Sequence, residues 1–174
     1  EVGLLKMDFL GLANLTILGR AVDMIRRTRG LEIDLGNLPI DDEKVFEMLG
    51  AGETMGVFQL EGAGMRRYIR ELKPTSVHDL AAMVALYRPG PMAHIPKFIQ
   101  SKAGIEPIEY PHPALEPILS DTYGVIVYQE QVLHIVQAIA GYSLGQADIL
   151  RKAMGKQIPE VMRKQRASFI EGAK

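Results

Sequence analysis

The 174 residues contain no cysteine. That excludes disulfides and thiolate metal sites, and it suits a reducing compartment such as the cytoplasm without requiring one. No apolar run approaches the ~20 residues needed to cross a bilayer, so no membrane partner is expected. An excess of one charge is missing as well. Lys plus Arg number 20 against 21 Asp plus Glu, a formal net charge of -1, so any basic site must be local. His78, His94, His112 and His134 are too far apart to form a paired zinc-ligand spacing. Gly62-Ala63-Gly64 lacks both the Lys-Ser or Lys-Thr of a Walker loop and the strand-loop-helix setting of a dinucleotide fingerprint. No Ser or Cys nucleophile arrangement and no repeat at a fixed period is visible. Glu1 to Lys6 lacks the layout of a secretion signal, and a chain opening on Glu1 rather than Met reads as a piece of something longer.

What is present is ordinary in bulk: 47% hydrophobic and 24% charged residues, enough for one folded unit with a real core. Val2 to Gly11 reads as a buried strand or strand end. Asn14 to Arg29 has apolar Leu15, Leu18, Val22 and Ile25 at helical spacing. Arg26, Arg27 and Arg29 crowd its last turn and Gly30 stops it. Asp41 or Asp42 is placed to cap a helix through Leu49, and Met55 to Leu60 reads as a short extended run. Met65 to Leu72 is a further helix. Thr75 or Ser76 caps the next, in which Val77, Leu80, Ala81, Val84 and Ala85 form the expected buried stripe until Arg88-Pro89-Gly90-Pro91 breaks it. Ile95 to Lys102 follows as a weaker helix, and Gly104 to Pro117, with Pro107, Pro111, Pro113 and Pro117, reads as a surface connection. Gly124 to Tyr128 is a β-branched strand candidate. Gln129 to Ala140 is a helix ended by Gly141, and Ser143 with Gln146 forms a capping box for a helix to about Met154. Pro159 opens a last one to about Glu171. The expected fold class is therefore mainly α (α+β), helical with a few short β-strands.

Four groups of residues could carry chemistry. On a strand, Lys6 and Asp8 project to one face. A carboxylate in an apolar strand needs a partner, which Lys6, backbone donors or a divalent cation could each supply. Local pattern favours the Lys-Asp pair or a turn cap. Arg151, Lys152 and Lys156 form a basic cluster, and Lys152 and Lys156 share a face if the helix persists. Such a cluster can hold a triphosphate, although Asp148 pairing with Arg151 and Lys152 on a solvated face is the reading the residues favour by themselves. Arg88 opens a rigid turn that either presents its charge to a ligand or only reverses the chain. Arg66, Arg67 and Arg70 form either a phosphate-facing stripe or, as their spacing favours, an ordinary solvent face.

Lys6-Met7-Asp8-Phe9-Leu10-Gly11-Leu12, Val57-Phe58-Gln59-Leu60-Glu61, Ala85-Leu86-Tyr87-Arg88-Pro89-Gly90-Pro91, Tyr123-Gly124-Val125-Ile126-Val127-Tyr128-Gln129-Glu130-Gln131 and Leu150-Arg151-Lys152-Ala153-Met154-Gly155-Lys156 together resemble the bacterial DNA polymerase III alpha subunits. The blocks fall in that family's order and cover the chain from end to end. The variant resembled is the one without an embedded proofreading exonuclease.

The resemblance implies a piece of a DNA-directed DNA polymerase of chromosome replication. Residues 1–12 would be the C-terminal edge of the palm and residues 13–174 the helical fingers. It makes Asp8 the third of three aspartates that hold two Mg2+ ions, places Lys6 near the phosphates, and makes Arg151, Lys152 and Lys156, with Arg88 nearby, contacts of the incoming dNTP. The implied partners are primer-template DNA and, in the whole subunit, the sliding clamp, the proofreading exonuclease subunit and the clamp loader. An Asp-x-Asp pair is expected before Glu1, so the piece alone is expected to be inactive. The rival from another class is a helical module that grips only nucleic-acid or protein surfaces through its basic residues.

Overall fold

The computed structural model describes residues 3–4, 7–156 and 158–174. By contacts the chain divides into two compact units, Glu1–Ile40 and Asp41–Lys174.

In the first unit, α1 (Ala13–Arg29) ends where Gly30 adopts a left-handed φ of 64° and its N–H donates to the Arg26 carbonyl. Arg26 also pairs with Asp23 at 3.2 Å and Glu32 at 3.4 Å, while Asp34 closes a turn by accepting from the Gly36 N–H. No residue of α1 is buried. Leu15 and Leu18 of its apolar stripe stay exposed, and Val22 and Ile25 are half-buried.

The second unit is built from eight helices among the described residues: α2 (Glu43–Gly50), α3 (Ala63–Leu72), α4 (Val77–Leu86), α5 (Ile95–Lys102), α6 (Glu116–Leu119), α7 (Gln129–Ala140), α8 (Leu144–Lys156) and α9 (Pro159–Gly172). Caps follow local chemistry. Asp42 accepts from the Lys44 N–H and Ser76 from the Asp79 N–H, each satisfying a free first-turn donor. One core gathers Leu49, Met65, Ile69, Met83, Leu86, Ile95, Phe98 and Val125; another joins Val136, Ala140, Tyr142, Ala147 and Leu150, with Met162 and Phe169 against it. Phe98 and Ile69 are wholly buried, and burying side chains of that size stabilises by about 1.5–3 kcal/mol each.

The α+β expectation is overturned: no strand occurs among the described residues. The run Met55–Leu60 is a chain of turns, with Val57 donating to Thr54 and Leu60 to Val57. Gly56 and Gln59 there have φ of 74° and 65°, which a strand cannot accommodate. Gly124 to Tyr128 starts from Gly124 at φ 79°, buries Val125 in the core and spends the Val127 and Tyr128 N–H groups on the Gln131 side chain, leaving no ladder to form. Of the expected strand at Val2 to Gly11, residues 2, 5 and 6 lie outside the described residues, and the others are exposed and irregular. β-branched runs favour a half-buried pleated surface only when a neighbouring strand supplies the other half of the ladder.

Two smaller differences matter. On α4 the buried face is Asp79, Ala82, Met83 and Leu86 rather than the expected stripe, and Val77 remains 47% exposed. The connection from Gly104 to Pro117 gains a 3-10 turn at Pro113–Leu115 and runs into α6, burying Leu115 and Leu119.

Candidate functional basic helix

Ser143 and Gln146 open α8 reciprocally. Ser143 Oγ accepts from the Gln146 N–H at 3.3 Å and Gln146 Oε1 accepts from the Ser143 N–H at 2.9 Å. Buried Ala147, Leu150 and Ala153 recur every three residues and set the rotation of the helix against its neighbours α7 and α9. Asp148, Lys152 and Lys156 are thereby turned away from the core. The helix runs past the expected limit at about Met154 to Lys156, so Lys152 and Lys156, one turn apart, share a face.

Asp148 organises this cluster. Arg151 donates to its Oδ1 from Nε at 3.0 Å and from Nη2 at 2.7 Å, and the Lys152 Nζ lies 2.7 Å from Oδ2. Those donors, Lys152 first and Arg151 second, hold the Asp148 carboxyl below its ordinary value, so it is ionised at neutral pH. Arg151 is fixed a second time, by Nη1 donating to Gln129 Oε1 at 3.1 Å. Gln129 is the first residue of α7, so two helices orient one guanidinium. The local ion pairing favoured by residue spacing is therefore present. Three cations stand against one carboxylate, and Lys156 makes no ion pair among the described residues.

Arg88 lies just past α4. Its N–H donates to Leu86 O at 2.8 Å and its carbonyl accepts from Met92 at 3.2 Å. Gly90 holds φ 96° and ψ -78°, a conformation open essentially to glycine, so the Arg-Pro-Gly-Pro turn is stiff. The Arg88 side chain is exposed, and among the described residues no hydrogen bond or ion pair joins it to α8.

Asp8 is exposed in irregular backbone, and Lys6 lies outside the described residues. Among the described residues no three His, Cys, Asp or Glu side chains gather as a metal site. Asp8 by itself offers one carboxylate, and two magnesium ions need several. The described residues do not assemble a two-metal centre.

Sequence reasoning missed Gln129 as the second anchor of Arg151. It also missed a polar network buried in the second unit: Asp79 accepts from the Thr75 N–H at 2.9 Å and from the Tyr123 hydroxyl at 3.0 Å, and lies 3.3 Å from Lys102 Nζ. Burial raises the Asp79 carboxyl, but the Thr75 amide, the Lys102 charge and the Tyr123 hydroxyl outweigh it and hold it below its ordinary value. Burial, then the Asp79 charge, pushes the Tyr123 phenol up to about 12. The available signal was Asp79 itself, an acid three residues after a capping Ser.

Residues 14–174 match the family described as the bacterial DNA polymerase III alpha subunit finger domain. A DNA polymerase III subunit alpha of Halalkalibacterium halodurans is 55% identical over 173 residues, 99% of this chain and 16% of that protein. Those of Caulobacter vibrioides and Thermus aquaticus are 54% and 53% identical, over 100% and 99% of this chain and 15% of each relative. The chain thus spans 15–16% of the length of these relatives.

Proposed function

The chain belongs to the bacterial DNA polymerase III alpha subunit finger-domain family, and from that premise we propose that it forms the fingers of a DNA-directed DNA polymerase that extends primer-template DNA in chromosome replication. Residues 13–174 are assigned to the fingers and residues 1–12 to the edge of the palm. The incoming dNTP is bound by α8, with Arg151, Lys152 and Lys156 as its triphosphate contacts and Arg88 as a further cation near them.

The observation that carries this reading is the doubly held Arg151 guanidinium, fixed by Asp148 and Gln129 beside two lysines on one helix face. A planar fork held in advance meets phosphate oxygens with little loss of rotamer freedom, while lysines supply compact charge. Cations so placed stabilise charge that develops on a departing pyrophosphate. Asp8 is proposed as one metal-binding carboxylate and Lys6 as a phosphate neighbour. The other carboxylates of a two-Mg2+ site would come from residues outside this chain, and with one carboxylate the isolated chain is expected to be inactive. In the whole subunit the proposed partners include the sliding clamp, the exonuclease subunit and the clamp loader, in the cytoplasm. No described helix is long and apolar enough to cross a membrane.

The test is single-nucleotide incorporation by the full-length subunit. Arg151→Ala and Lys152→Ala should raise the KM for dNTP or lower kcat at least tenfold at saturating primer-template, and Asp8→Asn should abolish incorporation. A backbone-binding module would instead lose affinity for any DNA, with a smaller salt slope and an unchanged KM for dNTP. Normal incorporation by both α8 variants would remove the nucleotide from this helix.

A further inference from the structure

We propose that Arg66 and Arg70 of α3, with Arg67 on the rim, form a binding site for the phosphodiester backbone of DNA, separate from the α8 cluster. The site rests on the polymerase reading for the identity of its partner but not for its geometry.

Ala63, Arg66, Arg67, Arg70 and Glu71 line an open cleft of about 410 Å³. Three guanidiniums meet one carboxylate there. That carboxylate, Glu71, is 3.6 Å from Arg67 Nε with both side chains largely exposed, a pairing worth little in water. Arg66 and Arg70 have no acidic partner among the described residues. They lie one turn apart on the same side of α3, so their charges stack along the helix.

Arg66 is held in advance. Arg66 Nη2 donates to Glu61 O at 3.0 Å and to Met55 Sδ at 3.1 Å, which fixes the guanidinium. Its Nε is buried and lacks any acceptor. An unmet buried donor is costly, and the described residues offer this one no acceptor. Arg70 lies across Gly52. A Cβ at that position would sit 2.6 Å from Arg70 Cδ and 3.5 Å from Arg66 Cγ, and Gly52 itself holds φ 86°. The loop therefore leaves room, through a glycine, for both arginine stems to lie flat. Arg67 is placed over the Tyr68 ring, 4.8 Å from its centroid.

The lining decides the chemistry of the ligand. Ala63 is the sole apolar side chain in it, so nothing there stacks a base or anchors a peptide by an apolar side chain. A half-buried, fixed Arg66 guanidinium one turn from exposed Arg70, with exposed Arg67 beside them, fits a repeating anion read by charge and position, which is the sugar-phosphate backbone.

The experiment measures binding of a labelled primer-template to the full-length subunit between 0.05 and 0.3 M salt, alongside the KM for dNTP. Arg66→Gln with Arg70→Gln removes both charges and keeps most of each stem. DNA affinity should fall about five- to tenfold, and the slope of log K against log salt should shrink by about 2, since each phosphate contact contributes ~0.9. The KM for dNTP at saturating DNA should stay unchanged. Glu71→Gln should tighten DNA binding two- to threefold, a gain that misfolding cannot mimic. Unchanged DNA affinity in both variants, or a shift confined to the KM for dNTP, overturns the proposal while the polymerase reading stands. Wild-type subunit that neither binds nor extends the primer-template overturns both.

Discussion

Lys102 Nζ lies 3.3 Å from Asp79 Oδ2, with the two side chains 11% and 3% exposed, so a buried ion pair joins α5 to α4. Tyr123, from the turn after α6, closes the same carboxylate from the other oxygen, and its ring packs edge-on against buried Phe98 at 5.2 Å.

Removing one partner of such a pair strands the rest. Asp79→Ala leaves the Lys102 charge and the Thr75 and Tyr123 donors without their acceptor and should destabilise the fold by about 3–5 kcal/mol. Lys102→Met added to Asp79→Asn should recover part of that loss, because the double change removes both charges. Urea denaturation of the set measures it, and equal stabilities would show that the pair contributes nothing.

The same network sets a pH dependence. Asp79 ionises more readily folded than unfolded, so on acidification the unfolded chain takes the proton first. Its stabilisation is present above pH ~4 and is lost as pH falls through the lower folded value. Tyr123 is the reverse: held up at about 12, it stabilises fully below pH ~10 and loses that contribution as pH rises through about 12. Urea midpoints against pH should therefore fall at both ends. Asp79→Asn should flatten the acid limb and Tyr123→Phe the alkaline one.

Gln129→Ala removes a neutral acceptor from Arg151 without altering the charge of the cluster. If Arg151 works as an oriented fork, kcat/KM for dNTP in the full-length subunit should fall about three- to tenfold, with primer-template affinity unchanged. The loss expected from a misplaced contact is of this order or larger. An unaltered kcat/KM would mean that the Asp148 clamp suffices.

Two helical glycines should respond oppositely to alanine. At Gly172 a Cβ would collide with the Ala140 carbonyl oxygen, a backbone atom that cannot swing aside, so Gly172→Ala should lift the end of α9 from α7 and cost about 1–3 kcal/mol. At Gly19, inside α1, nothing lies within 4 Å, and alanine should stabilise that helix by about 0.5–1 kcal/mol. Thermal melts and limited proteolysis distinguish the two.

The sequence by itself determined most helix limits and caps, because these depend on chemistry within a few residues. Asp42, Ser76, Ser143 with Gln146, Gly30 and Gly141 act where their side chains or left-handed backbones predict. It also placed Arg151 and Lys152 on one helix with Asp148 between them in charge. Tertiary structure alone decided the rest. The run at Gly124 to Tyr128 has strand composition, yet Gln131 takes its amides, and composition cannot reveal a missing ladder partner. Nearly every residue of α4 is apolar, so periodicity picked out the stripe Val77, Leu80, Ala81, Val84 and Ala85, whereas Lys102 and Tyr123 hold Asp79 on the side that is buried with Ala82, Met83 and Leu86. Gln129 holds Arg151 from 22 residues away, a separation at which spacing carries no information and only packing of α7 on α8 brings the two groups together.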